Sequence, residues 1–105
     1  MRSEAASSFK LMNEAVRIVR EAQGKGTSWF HYANEAKLVN FAMAEKSEAV
    51  DRESLSEPEL ALLAKLEIRN GVLVAQGFDY QVRKATLRLF AADALLESDL
   101  KIAAN

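Results

Sequence analysis

Apolar residues recur along this chain at intervals of three and four, and each run is bounded by glycine, proline or a small polar residue. The first run covers residues 4–23 and sets Met12, Ala15, Val16, Val19 and Ala22 on one helical face. Gly24 follows where a left-handed C-terminal cap is wanted, and Gly26 prolongs the turn. Thr27 or Ser28 can then accept a hydrogen bond from the free N–H groups that open a second helix. The apolar positions of that helix include Trp29, Tyr32, Ala36, Val39 and Met43, and it fades into the polar stretch 45–55.

The third start is the clearest local signal. Ser56 is followed three residues later by Glu59, the spacing of a reciprocal capping box, and Leu55 and Leu60 flank it as a hydrophobic staple. Pro58 falls in the first turn, where its missing N–H costs little. Leu60, Leu63, Leu66, Leu73 and Val74 trace one stripe that ends near Gly77. Asp79 can cap a fourth helix carrying Ala85, Leu87, Phe90, Ala91, Ala94 and Leu95, whose apolar pattern weakens beyond Ser98. Val72-Leu73-Val74 is locally strand-like, but good helix formers surround it and no useful period-two alternation exists elsewhere. The pattern predicts an all-α chain, a small four-helix bundle-like domain over residues 1–105. Short turns around Gly26 and Gly77 would make sequential helices antiparallel neighbours.

Composition narrows the function classes. A length of 105 residues suits one hydrophobic core, and 50% apolar with 28% charged residues is the balance of an ordinary globule rather than of a disordered segment. The net charge of -1 argues against electrostatic nucleic-acid binding by the whole chain, which calls for a strongly basic domain. With no cysteine, disulfides, thiolate zinc sites and thiol nucleophiles are all excluded. The opening Met1-Arg2-Ser3-Glu4 lacks the apolar stretch of a signal peptide, and no run approaches the ~20 residues of a membrane span. A soluble, cytoplasmic protein is the expectation.

Candidate chemistry is sparse. His31, the single histidine, has Glu35 one helical turn away, the spacing of a general base with an orienting carboxylate. No nucleophile or oxyanion site accompanies the pair, and the alternative is a polar residue among aromatics on an amphipathic helix. No enzyme, cofactor or metal is expected. Glu45, Glu48, Asp51, Glu53, Glu57 and Glu59 form an acidic stretch that suits a solvated loop leading into a helix N-terminus, where acids complement the helix dipole. It lacks the loop pattern and central glycine of a calcium site. Lys65, Arg69, Arg83, Lys84 and Arg88 make the last two helices locally basic, a possible phosphate-contacting face, although no aromatic or amide residue is placed to read base edges.

The surplus of large apolar residues is the strongest functional clue. Phe30, Leu38 and Phe41 on the second helix, Leu62 and Ile68 on the third, and Leu89 and Leu96 on the fourth fall outside a single stripe. Such a surplus predicts a protein interface, most simply a homodimer through the third and fourth helices using Leu62, Ile68, Asn70, Leu73 and Leu89. Asn70-Gly71 interrupts the third helix. Either Gly71 permits close helix approach with Asn70 hydrogen-bonding across it, or the pair is an exposed imperfection.

From about residue 29 to 92 the chain resembles the helical C-terminal segment of phage regulatory and antirepressor proteins of the KilA-N and Rha-like groups. The matching pieces are Asn34-Glu35-Ala36-Lys37-Leu38-Val39-Asn40, Asp51-Arg52, and the helix beginning at Ser56. The most specific is Leu66-Glu67-Ile68-Arg69-Asn70-Gly71-Val72-Leu73-Val74, followed by Gly77-Phe78-Asp79-Tyr80 and Arg83-Lys84. Members of these groups usually carry a separate N-terminal DNA-binding module, which these residues do not include. What the resemblance implies is a phage or prophage regulator acting through protein contacts, for instance by sequestering a repressor. DNA binding through the basic helix face is the alternative.

Overall fold

The computed structural model describes residues 2–44 and 52–104, and the surroundings of side chains over residues 7–43 and 53–94. Among the described residues the secondary structure is entirely helical: α1 (Arg2–Ala22), α2 (Trp29–Ala44), α3 (Glu57–Ala75) and α4 (Tyr80–Ala104), with a 3-10 turn at Arg52–Ser54 before α3. The all-α expectation holds, and Val72–Val74 lies inside α3, so the helical period governs there. The backbone of α4 remains helical past Ser98 to Ala104. Glu45, Glu48 and Asp51 of the acidic stretch lie outside the described residues, as does the side chain of Leu96.

The helix ends follow from local chemistry. Ser56 caps α3 as a reciprocal box: the Glu59 N–H donates to Ser56 Oγ (3.3 Å), and the Ser56 N–H donates to Glu59 Oε1 (2.9 Å). The Ser56 backbone N–H first, and its hydroxyl second, hold the Glu59 carboxyl below its ordinary value. Because the folded value is lowered, Glu59's contribution is complete above the ordinary glutamate range and is lost as pH falls through the lowered value. Ser56→Ala is expected to cost about 0.5–2 kcal/mol in chemical denaturation. An unchanged midpoint would mean that the box contributes nothing. Asp79 caps α4 by accepting from the Val82 N–H at 2.9 Å.

Both long turns are stopped by glycine in the left-handed region, Gly24 at φ 76° and Gly77 at φ 85°. After α3, the Phe78 N–H reaches Leu73 O and the Gly77 N–H reaches Val74 O. After α1, the Lys25 N–H reaches Arg20 O and the Gly24 N–H reaches Glu21 O. These pairs of bonds satisfy carbonyls that a helix end leaves open, in the Schellman arrangement.

Packing departs from the sequential order expected from the turns. α1 lies chiefly on α3 and touches α2 only lightly, while α2 and α3 both pack on α4. The close approach comes from Gly71: a β-carbon built there would stand 3.4 Å from the Cα of Met12. Of the two readings of Asn70-Gly71, close approach is the one the fold uses. Met12, Leu38, Val39, Leu63, Leu66, Leu73 and Leu87 form the centre of the core, and Leu55 and Leu62 pack against it from its edge.

α2 corrects the expected apolar stripe. Leu38, assigned above to a second, outward face, is fully buried, with Val39 and Asn40 buried beside it. Trp29, counted among the apolar positions of this helix, is 77% exposed. A helix that touches α1, α3 and α4 buries a broad arc rather than one stripe, so the single-stripe rule fails there.

Candidate functional site

Three helices bring polar side chains together beneath one end of the bundle. Glu35 on α2, Asn70 on α3 and Arg83 on α4 are all buried, Asn70 completely. Arg83 Nη1 pairs with Glu35 Oε1, and Arg83 Nη2 donates to Glu35 Oε2 at 3.2 Å, so the guanidinium engages both carboxylate oxygens. The Asn70 amide bridges them: its Nδ2 donates to Glu35 Oε1 (2.8 Å) and its Oδ1 accepts from Arg83 Nη1 (3.1 Å). Asn70 Nδ2 also lies 3.4 Å from Met12 Sδ on α1, so the network touches all four helices. Arg83 Nε donates to the carbonyl of Phe78 at 3.0 Å, which ties the α3–α4 turn to the same group. A buried charge pair is tolerated because its hydrogen bonds are satisfied and its charges cancel.

The network revises several sequence expectations. Glu35 does not orient His31, because its carboxylate is committed to Arg83 and Asn70. His31 instead accepts at Nδ1 from the Ser28 N–H, 2.9 Å away, and so helps to cap its own helix. Asn70 and Leu73 serve the interior of one chain and are not on its outer surface. Leu62 is partly buried against the core, whereas Ile68 and Leu89 are exposed at 48% and 70%.

The basic face also divides. Arg83 is withdrawn into the ion pair. Arg69 lies over the Phe90 ring (4.4 Å to its centre), whereas Lys84 and Arg88 both cover Phe41 on α2, at 4.4 and 5.0 Å. Cations so placed gain from the ring quadrupole and shield apolar surface with their stems. Of the five, one is therefore buried and three lie against two different rings. Glu67, which the sequence sets among these basic residues, is buried and accepts from the Ser8 hydroxyl on α1 at 3.1 Å.

Two surface depressions flank this interior. One, of about 320 Å³, lies where the ends of the four helices converge and is floored by Glu35 and Arg83. The other, about 490 Å³ and mainly apolar, is an open groove between α3 and α4 lined by Lys65, Ile68, Arg69, Val72 and Phe90. Among the described residues no group of three histidine, aspartate or glutamate side chains could hold a metal ion, and no helix is long and apolar enough to cross a membrane.

No family model matches the chain, and neither a curated protein nor a solved structure does.

Proposed function

We propose that the chain is a non-enzymatic interaction protein of phage or prophage regulatory type, working in the cytoplasm of a bacterial host and pairing with a second copy through the outer face of α3 and α4. One observation carries the interaction reading: Ile68 and Val72, a turn apart on α3, are each about half exposed beside the Phe90 groove. Val82 and Leu89 extend apolar exposure along α4. Apolar positions that line a groove, rather than stand singly, suit a protein contact. The regulatory assignment has separate support, the motif order from Leu66 to Lys84. A repressor seated on this face in place of the second copy is the mode of sequestration that fits a partner-binding surface.

DNA binding through Lys65, Arg69, Arg83, Lys84 and Arg88 is the weaker reading, because Arg83 is buried and Arg69, Lys84 and Arg88 cover two different aromatic rings. Labelled duplex DNA is expected to show no salt-dependent shift. A steep salt dependence would favour the DNA reading instead.

The test of the face itself is Ile68→Glu followed by size-exclusion chromatography. A charge buried without a partner in the paired state is expected to shift the chain to its monomeric volume. Ile18→Glu, which places the same charge on the exposed side of α1, is expected to leave the elution volume unchanged. Equal effects of the two substitutions would count against α3 as the contact.

A further inference from the structure

The depression at the converging helix ends differs from the mainly apolar α3–α4 groove, because several hydrogen-bonding groups in its walls have no partner among the described residues. Its volume of about 320 Å³ falls at the lower end of the range for small-molecule sites, roughly 300–1,000 Å³. The two acids in its lining are already engaged. Glu35 accepts from Arg83 and Asn70, and Asp79 accepts the capping N–H of Val82.

The uncommitted groups are a cation and donors. Arg20 uses Nε to hold the carbonyl of Gly26 at 2.8 Å and has no carboxylate partner among the described residues, which leaves its terminal nitrogens available. Among the described residues, Asn34 has no hydrogen-bond partner for its amide and Tyr80 has none for its hydroxyl. With Nδ1 occupied as an acceptor, neutral His31 carries its proton on Nε2. Burial, chiefly, and the nearby Glu35 carboxylate hold the Tyr80 hydroxyl above the ordinary phenol value, with Arg83 opposing them, so Tyr80 remains a donor at neutral pH. Val16, Val19 and Val74 supply an apolar wall.

We propose that this depression binds a small carboxylate with an apolar body, held at its charged end by Arg20 and Asn34 and along its body by the three valines. The sign follows from the chemistry of the lining. An anion would meet a guanidinium without a carboxylate partner among the described residues, whereas an ammonium would meet one carboxylate neutralised by Arg83 and another held through Oδ1 at the first turn of α4. A carboxylate suits Arg20 because the planar fork of the guanidinium can engage two oxygens together. The aliphatic wall selects against fully polar anions such as inorganic phosphate. The site lies apart from Ile68 and Val72, so it stands or falls independently of the pairing face.

Proton–nitrogen correlation spectra of the 15N-labelled chain, titrated with benzoate, provide the test. Saturable shifts are expected at Arg20, His31, Asn34 and Tyr80, with none from benzylamine or from inorganic phosphate at matched ionic strength. Arg20→Gln should weaken benzoate binding about tenfold, the scale of one lost charge-assisted contact. Asn34→Asp changes an exposed side chain, so the fold is kept, and adds a negative charge to the mouth; it should abolish binding. Linear, non-saturating shifts would overturn the proposal. So would equal shifts from benzylamine, or benzoate binding that both variants leave intact.

Discussion

Arg83→Met is expected to remove about 3–5 kcal/mol of folding free energy, because it strands the buried Glu35 carboxylate. That is a large share of the roughly 5–15 kcal/mol by which domains of this size are stable. The loss is not the worth of the ion pair itself. It is the cost of leaving one ion in a space where only Asn70 continues to donate to it. The double variant Glu35→Met with Arg83→Met removes both charges and is therefore expected to be more stable than Arg83→Met alone. It should still fall short of the unaltered chain, since Asn70 then keeps only the sulfur of Met12 within reach, and an unsatisfied buried amide costs about 1–3 kcal/mol. Chemical denaturation of the three proteins gives the order directly. A double variant no more stable than the single one would show that Glu35 finds other partners when Arg83 is gone.

Gly71→Leu is expected to cost roughly 1–3 kcal/mol by forcing α1 away from α3. What limits the space is the Cα of Met12, a backbone atom that cannot swing aside as the tip of a side chain can. Gly71→Ala is a different case. Its β-carbon would meet Met12 Cα at 3.4 Å, an ordinary contact, and alanine is favoured over glycine inside a helix by about 0.8–1.0 kcal/mol. The expected series is therefore alanine near or above the parent and leucine well below it. A leucine variant as stable as the alanine one would mean that the α1–α3 contact is looser than its geometry indicates.

Boundaries and interior were legible in the sequence to different degrees. Ser56 with Glu59, Asp79, Gly24 and Gly77 announce helix ends because capping needs only residues within one turn of each other. Burial on α2 was less legible, since a single stripe is the signature of a helix packed on one side, and α2 has neighbours on several. The polar network was missed for another reason. Glu35, Asn70 and Arg83 are separated by 35 and 13 residues, too far apart for any local spacing rule to join them. A signal did exist in the register. Glu35 precedes the core residue Leu38 by three, Arg83 precedes Leu87 by four, and Asn70 lies between Leu66 and Leu73 at matching intervals. Polar residues in step with a core stripe must either break the core or pair within it. The same reasoning removes Asn70, Leu73 and Arg83 from the outer surface and leaves Ile68, Val72 and Leu89 there.

Those exposed positions make the pairing of two copies the part of the functional reading with the plainest readout. Sedimentation of the unaltered chain at micromolar concentration measures it. A species of twice 11.6 kDa is expected, reverting to 11.6 kDa in Ile68→Glu; a clean 11.6 kDa species for the unaltered chain would contradict the pairing.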